Sequence, residues 1–359
     1  MANGTETSER VLAQRARSCL LCSTLGRTLY ADLRDEIGQA PGIWNLCVCP
    51  VCGLVWLDPR PLPEEIAKLY HGYYTHASSD EWDGVPYAWG IGPQIRRATR
   101  AVLALGYGYR ALAIGRKGAV AGRILCRFGL LMDIVGATIM WLPSSPGGQL
   151  LDVGCGGGHF LARMQSLGWR VRGVEPDAEA VGVARRHFDL KVYQGTLADG
   201  HFPPNEFDAV TMNHVIEHAP HPVELLQECR RVLKVGGRLV VVTPNARSLG
   251  RMHFGRAWRG WETPRHLFLF TPETLRICAK RAGLTITILR TTARLAPAIW
   301  VASIRLRDKH LSGPAKDEMT GWGTGWGMRV WTRVMGLYED IYGNSRATGE
   351  ELLLVARKD

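Results

Sequence analysis

Three groups of residues in this 359-residue chain have the types and spacing needed for chemistry. The first is a repeated cysteine pair. Cys19 and Cys22 form one Cys-x-x-Cys, and Cys49 and Cys52 form a second within Cys-Pro-Val-Cys-Gly. Two such knuckles offer four thiolates to a tetrahedral Zn²⁺, whose binding energy folds a segment too small to bury a core of its own. Cys47 competes with Cys49 for a place, but only Cys49 keeps the two-residue spacing. Four filled positions leave none open, so the expected zinc is structural.

The second group is Leu151 to Phe160, LDVGCGGGHF. Gly154, Gly156 and Gly158 follow an apolar run, where glycine lets the backbone turn tightly and approach a ligand. A helix starting behind them offers free N–H groups to a polar ligand. Asp152 stands two residues before the first glycine, and Glu175 follows Gly158 by seventeen residues at the tip of the next apolar run. A carboxylate there takes both hydroxyls of a ribose. Dinucleotide sites place the third glycine five residues after the first. Here it comes at 158, and position 159 is His, which excludes that class.

The third group is rich in histidine: His214, Glu217, His218 and His221, with His266 further on in TPRHLFLF. The string HVIEH matches the His-x-x-Glu-His of some zinc peptidases. That chemistry needs one continuous helix, and Pro220 and Pro222 leave no room for it. Two readings stay open for the corner: a metal held by His214, Glu217 and His218, or Glu217 and His218 capping the next helix. His266 follows the basic aromatic stretch FGRAWRGWE (254–262) and is the first candidate for a general base, with His218 the second. Its alternative is a histidine that pins the loop to the core. Arg265 beside it suits an acidic or phosphorylated substrate.

The elements that must position these groups follow from periodicity. Strands are expected at 149–153, 170–175, 191–194, 207–212, 238–243, 284–290 and 351–358, with helices at 158–168, 178–188, 221–234 and 272–283. Strand–helix alternation of this length predicts an α/β fold, a Rossmann-like, seven-stranded, doubly wound sheet whose last strand runs antiparallel. Before it come a Cys-rich head (1–75, ending in a helix over Glu64 to Tyr70) and a basic, apolar helical insert (76–147). After it come residues 291–359, an aromatic cap containing GWGTGWG (321–327) and the last strand. Cys126, Cys155, Cys229 and Cys278 read as core cysteines.

The stretches LDVGCGGGHF, GVEPD, FDAVTMNHVIEHAPHP, LKVGGRLVVVTPNARS and PRHLFLFTPETL resemble the class I S-adenosylmethionine methyltransferases, in the branch related to ubiquinone-biosynthesis O-methyltransferases. The resemblance covers residues 148–290 and the last strand. It implies that Asp152 and the three glycines line the methionine end of S-adenosylmethionine, that Glu175 holds the ribose, and that Thr196 and Leu197 border the adenine. Asn213 then lies beside the cofactor at the end of the fourth strand. CGLVWLDPRPLPEEIAKLY is similar to the heads that precede many methyltransferases of this branch.

Charge restricts the partners. The chain carries a formal +11, and residues 86–136 hold eight basic residues against Asp133 alone. Such a segment lies on anionic lipid or forms a solvated subdomain. No apolar run reaches bilayer-spanning length, and the opening residues lack the apolar region of a secretory signal, so a cytoplasmic protein is expected, peripheral to the membrane in the lipid reading. The expected acceptor is a small molecule, a glycan or a lipid-linked precursor. An RNA methyltransferase is the alternative suggested by zinc and charge. It lacks an Asn-Pro-Pro-Tyr motif after the fourth strand and the spaced aromatics of an RNA surface. A non-catalytic cofactor-binding protein is the third class.

Overall fold

The computed structural model describes residues 11–38, 40–70, 93–112, 114–312 and 347–359. The aromatic stretch at 321–327 and the segment through Tyr342 lie outside them, as do residues 76–92 of the insert.

The head contains strands β1 (Ala13–Gln14), β2 (Arg27–Leu33), β3 (Trp44–Val48), β4 (Val55–Asp58) and β5 (Arg60–Pro61), then a 3₁₀ helix at Pro63–Tyr70 where an α-helix was expected. The insert supplies helices α1 (Pro93–Gly106), α2 (Arg116–Leu125) and α3 (Gly129–Ala137). The α/β part follows with β6 (Gln149–Val153), α4 (His159–Ser166), β7 (Arg170–Glu175), α5 (Ala178–Phe188), β8 (Val192–Gln194) and β9 (Phe207–Asn213). It continues with α6 (Pro222–Val232), β10 (Leu233–Pro244), α7 (Leu249–Phe254), β11 (Phe268–Leu269), α8 (Pro272–Arg281), β12 (Thr285–Thr292), α9 (Ala296–Ser312) and β13 (Glu351–Arg357).

The main sheet has seven strands in the order β12-β13-β10-β9-β6-β7-β8. The β7–β8, β6–β7, β6–β9 and β9–β10 pairs are parallel, whereas β13 runs antiparallel to both β10 and β12. The expected doubly wound sheet is therefore present, and its last strand is inserted between β10 and β12. Central strands buried on both faces read as unbroken apolar runs. In β10, Leu239 and Val241 pack into one core while Val240 and Val242 pack into the other. Helix ends carry local signals. Asp177 accepts from the N–H of Glu179 at the start of α5, and Thr271 with Thr274 forms a capping box at α8.

The head and the insert both pack onto the α/β part. The head is not self-contained: its four-stranded sheet, β11-β4-β3-β2, takes an edge strand from residues 268–269, more than two hundred positions later. One continuous core joins head residues such as Leu46, Leu57 and Leu69 to Met212, Val241 and Leu275 of the α/β part. The insert is likewise part of the main layers. Val102, Leu103 and Ile139 pack with Leu150, Leu161 and Val240 on the opposite face of the sheet.

Candidate active site

The glycine turn leaves β6 and enters α4, and its glycines have different duties. All three have positive φ, +71° at Gly154, +52° at Gly156 and +84° at Gly158. A Cβ on Gly154 would strike Val215 at 2.4 Å, and one on Gly158 would lie 2.6 Å from Leu190 and 2.9 Å from Ala184. These two close the packing of the turn against the protein. A Cβ on Gly156 would meet nothing within 4 Å, so its backbone borders open space. Of the three, Gly156 is the one with open space where a side chain would stand.

Glu175, at the end of β7, faces this turn. Its carboxylate accepts from the N–H of Gly156 at 2.8 Å and from that of Asp177 at 3.1 Å. Burial raises its pKa, and the two N–H groups oppose the rise. Asp152 is 5% exposed and accepts from the hydroxyl of Thr211 at 2.6 Å. Burial pushes it up to about 7 against that hydrogen bond, and the nearby charge of Glu175 adds to the rise. Thr196 directs its hydroxyl and N–H to Asp199, while Leu197 is buried. Asn213 is exposed at the end of β9, where Arg294 reaches its Oδ1 at 3.1 Å.

The residues after β9 form a three-residue 3₁₀ turn, Ile216–His218, so the peptidase geometry is excluded. Glu217 does not cap α6. It is fully buried and accepts from the hydroxyl of Thr243 at 2.8 Å, with His214 at 3.0 Å on its other oxygen. His214 also meets Glu351 of β13 at 2.8 Å. Burial lowers the pKa of His214, but the two carboxylates outweigh it and hold it up at about 9, an imidazolium between two anions. The group whose ligand atoms lie within 4.8 Å of one another is Glu217, His218 and His266.

The two candidate bases sit against each other, ring centroids 4.8 Å apart. His266 is 4% exposed, and its Nδ1 bonds the Gly260 carbonyl at 2.9 Å. Burial holds its pKa well below the ordinary histidine value. His218 is half-buried; its Nδ1 lies 3.0 Å from the Arg265 carbonyl and 2.9 Å from the Tyr70 hydroxyl. Burial lowers its pKa too, against the charge of Glu217. Arg265 is not a substrate cation. Its buried guanidinium is paired with Asp35 of the head at 2.7 and 3.1 Å. Sequence reasoning missed Tyr70, Thr243, Glu351 and Arg294, none of which carries a local signal.

In the head, the sulfurs of Cys19, Cys22, Cys49 and Cys52 converge within 4.8 Å, with pairs at 3.3, 3.5 and 3.9 Å. Four sulfurs tetrahedrally about 2.3 Å from one ion lie roughly 3.8 Å apart, so the cluster fits Zn²⁺. N–H groups of Leu21 and Cys52 point at Cys19 and Cys49 sulfurs at 3.4 Å. Cys47 stands apart, within β3.

The sheet order and the glycine turn between its first strand and helix are those of the class I methyltransferase, Rossmann-like fold. Residues 127–289 match the family described as Methyltransferase domain. The chain is 39% identical over 105 residues, 28% of its length, to a ubiquinone biosynthesis O-methyltransferase of Azoarcus sp. (strain BH72), covering 45% of that relative. It is 35% identical over 129 residues to the protein of that name in Dechloromonas aromatica (strain RCB), 33% of this chain and 55% of the relative. The chain thus spans about half the length of these curated relatives. Among solved structures it is similar to a SAM-dependent methyltransferase from Archaeoglobus fulgidus, with TM-score 0.40, 22% identity, and 60% and 88% of the two chains covered.

Proposed function

We propose that this chain methylates an oxygen of a small acceptor, a glycan or a lipid-linked precursor, with His218 as the base that takes the acceptor's proton. The observation that carries the cofactor half is the open space beside Gly156, bordered by the Glu175 carboxylate. When bound there, S-adenosylmethionine supplies a methyl group on a sulfonium sulfur. Glu175 would hold the ribose hydroxyls, Gly156 would give the cofactor room at the backbone, and Asp152 and Asn213 would border its other end. The oxygen acceptor is supported by the names of the partly matching relatives.

His218 is preferred to His266 because it is the more exposed ring. With Nδ1–H donating to the Arg265 carbonyl, Nε2 is left to accept a proton. Alignment of acceptor and methyl remains the main contribution expected of the protein. The four head thiolates are proposed to hold a structural zinc.

Calorimetry with S-adenosylhomocysteine tests the cofactor half, and absence of binding would overturn it. For the base, His218→Gln should keep that binding and lower kcat by about 10²-fold or more once an acceptor is found. Unchanged kcat would remove His218 from the role.

A further inference from the structure

We propose that the outward face of α2, continuing to the start of α3, is a docking surface for an anionic lipid bilayer. On a helix, residues three and four apart share a face. Arg116, Lys117, Val120, Arg123 and Ile124 of α2 share one, and Arg127 extends it just past the helix end. Gly122 is on the other side, where α2 packs so closely on α1 that a Cβ would lie 2.8 Å from Leu105 and 3.0 Å from Ala101. The shared face must therefore point away from the protein. It does: Arg116, Lys117, Arg123 and Arg127 are exposed, and so are Val120 (58%), Ile124 (55%) and Phe128 (56%).

Both halves of this pattern suit a lipid surface. Guanidinium and ammonium groups meet anionic headgroups, while aliphatic side chains between them enter the headgroup–acyl boundary. The local charge is not neutralised, because Asp133, the sole acid across α1 to α3, pairs with Arg290 and accepts from the Trp141 indole at 2.7 Å. RNA would use the cations but gain little from Val120 and Ile124, which cannot stack on bases. The insert packs on the sheet face opposite the head, so docking through α2 leaves the head side uncovered. No described helix is long and apolar enough to cross a membrane, and an interfacial contact requires none.

Flotation of the full chain with phosphatidylcholine vesicles, with and without phosphatidylserine, tests this. The chain should float with the anionic vesicles and not with the neutral ones. Each basic residue near the surface contributes roughly fivefold in partitioning, so Arg116→Gln with Lys117→Gln and Arg123→Gln should weaken it about a hundredfold. Val120→Ser with Ile124→Ser should leave only a weaker component that high salt removes. Both variants should bind S-adenosylhomocysteine as the parent does, which separates this outcome from failure of the proposed cofactor site. Equal flotation of parent and variants overturns the proposal, as does a chain that ignores anionic vesicles yet shifts RNA in a gel.

Discussion

The glycines of the LDVGCGGGHF turn separate into two kinds once their surroundings are known, and substitution should separate them experimentally. Gly156→Ala puts a methyl into open space in a left-handed conformation, costing about 1–2 kcal/mol of backbone energy. Its main effect should be weaker S-adenosylhomocysteine binding, read by calorimetry. Gly158→Ala adds the same strain and also drives a methyl against Leu190 and Ala184. It should lower stability by a further ~1–3 kcal/mol, seen as a lower denaturant midpoint. Glu175→Gln removes the carboxylate that faces the turn; a hydrogen bond to a charged group contributes about 1.5–3 kcal/mol, so affinity should fall about tenfold or more. The alternation of strand and helix around this turn made the glycines and Glu175 legible in sequence. Which glycine borders open space was not, because that depends on Val215, Ala184 and Leu190 arriving from other elements.

Between elements, the contact that matters most for the site is His214 between Glu217 and Glu351. It ties the turn after β9 to the first residue of β13. Burial raises both carboxyl pKa values, but His214 overrides it for Glu217 and Arg294 with His214 for Glu351, holding each at about 2. His214 is held at about 9, above its ordinary value near 6.5. A histidine with a raised folded pKa contributes stability in full below about pH 6.5 and loses it as pH rises through about 9. The depressed carboxyls contribute above about pH 4.5 and lose it as pH falls toward about 2. Denaturant midpoints should therefore decline between pH 6.5 and 9 in the parent. His214→Gln should flatten that decline; an unchanged slope would remove the imidazolium as its source. The histidine corner was visible as a sequence string, but its partners were not. Glu351 lies 137 residues away from His214.

At the scale of the whole molecule, the head is an integral layer. It shares a core and a sheet with the α/β part, and its Asp35 neutralises Arg265 beside the candidate bases. Asp35→Ala should cost about 3–5 kcal/mol, because it strands a buried guanidinium. With zinc on the four thiolates as proposed, a chelator should lower the melting temperature of one cooperative transition. Calorimetry that showed the head melting separately, with the α/β part unaffected, would contradict the shared core. Tyr70, 2.9 Å from His218, makes the head a contributor to the site as well.

The sequence by itself determined the main elements of the α/β part and the local chemistry: its sheet strands and the helices between them, the four zinc-spaced cysteines, the glycine turn and Glu175. Each depends on periodicity, spacing or turn geometry confined to a short stretch of chain. Only the tertiary structure decided that β11 completes the head sheet, that Arg265 belongs to Asp35, that His214 stands between Glu217 and Glu351, and that His218 is the more accessible histidine. Those outcomes depend on burial and on pairs of charges distant in the chain. Their energies exist only once folding has expelled water from between them.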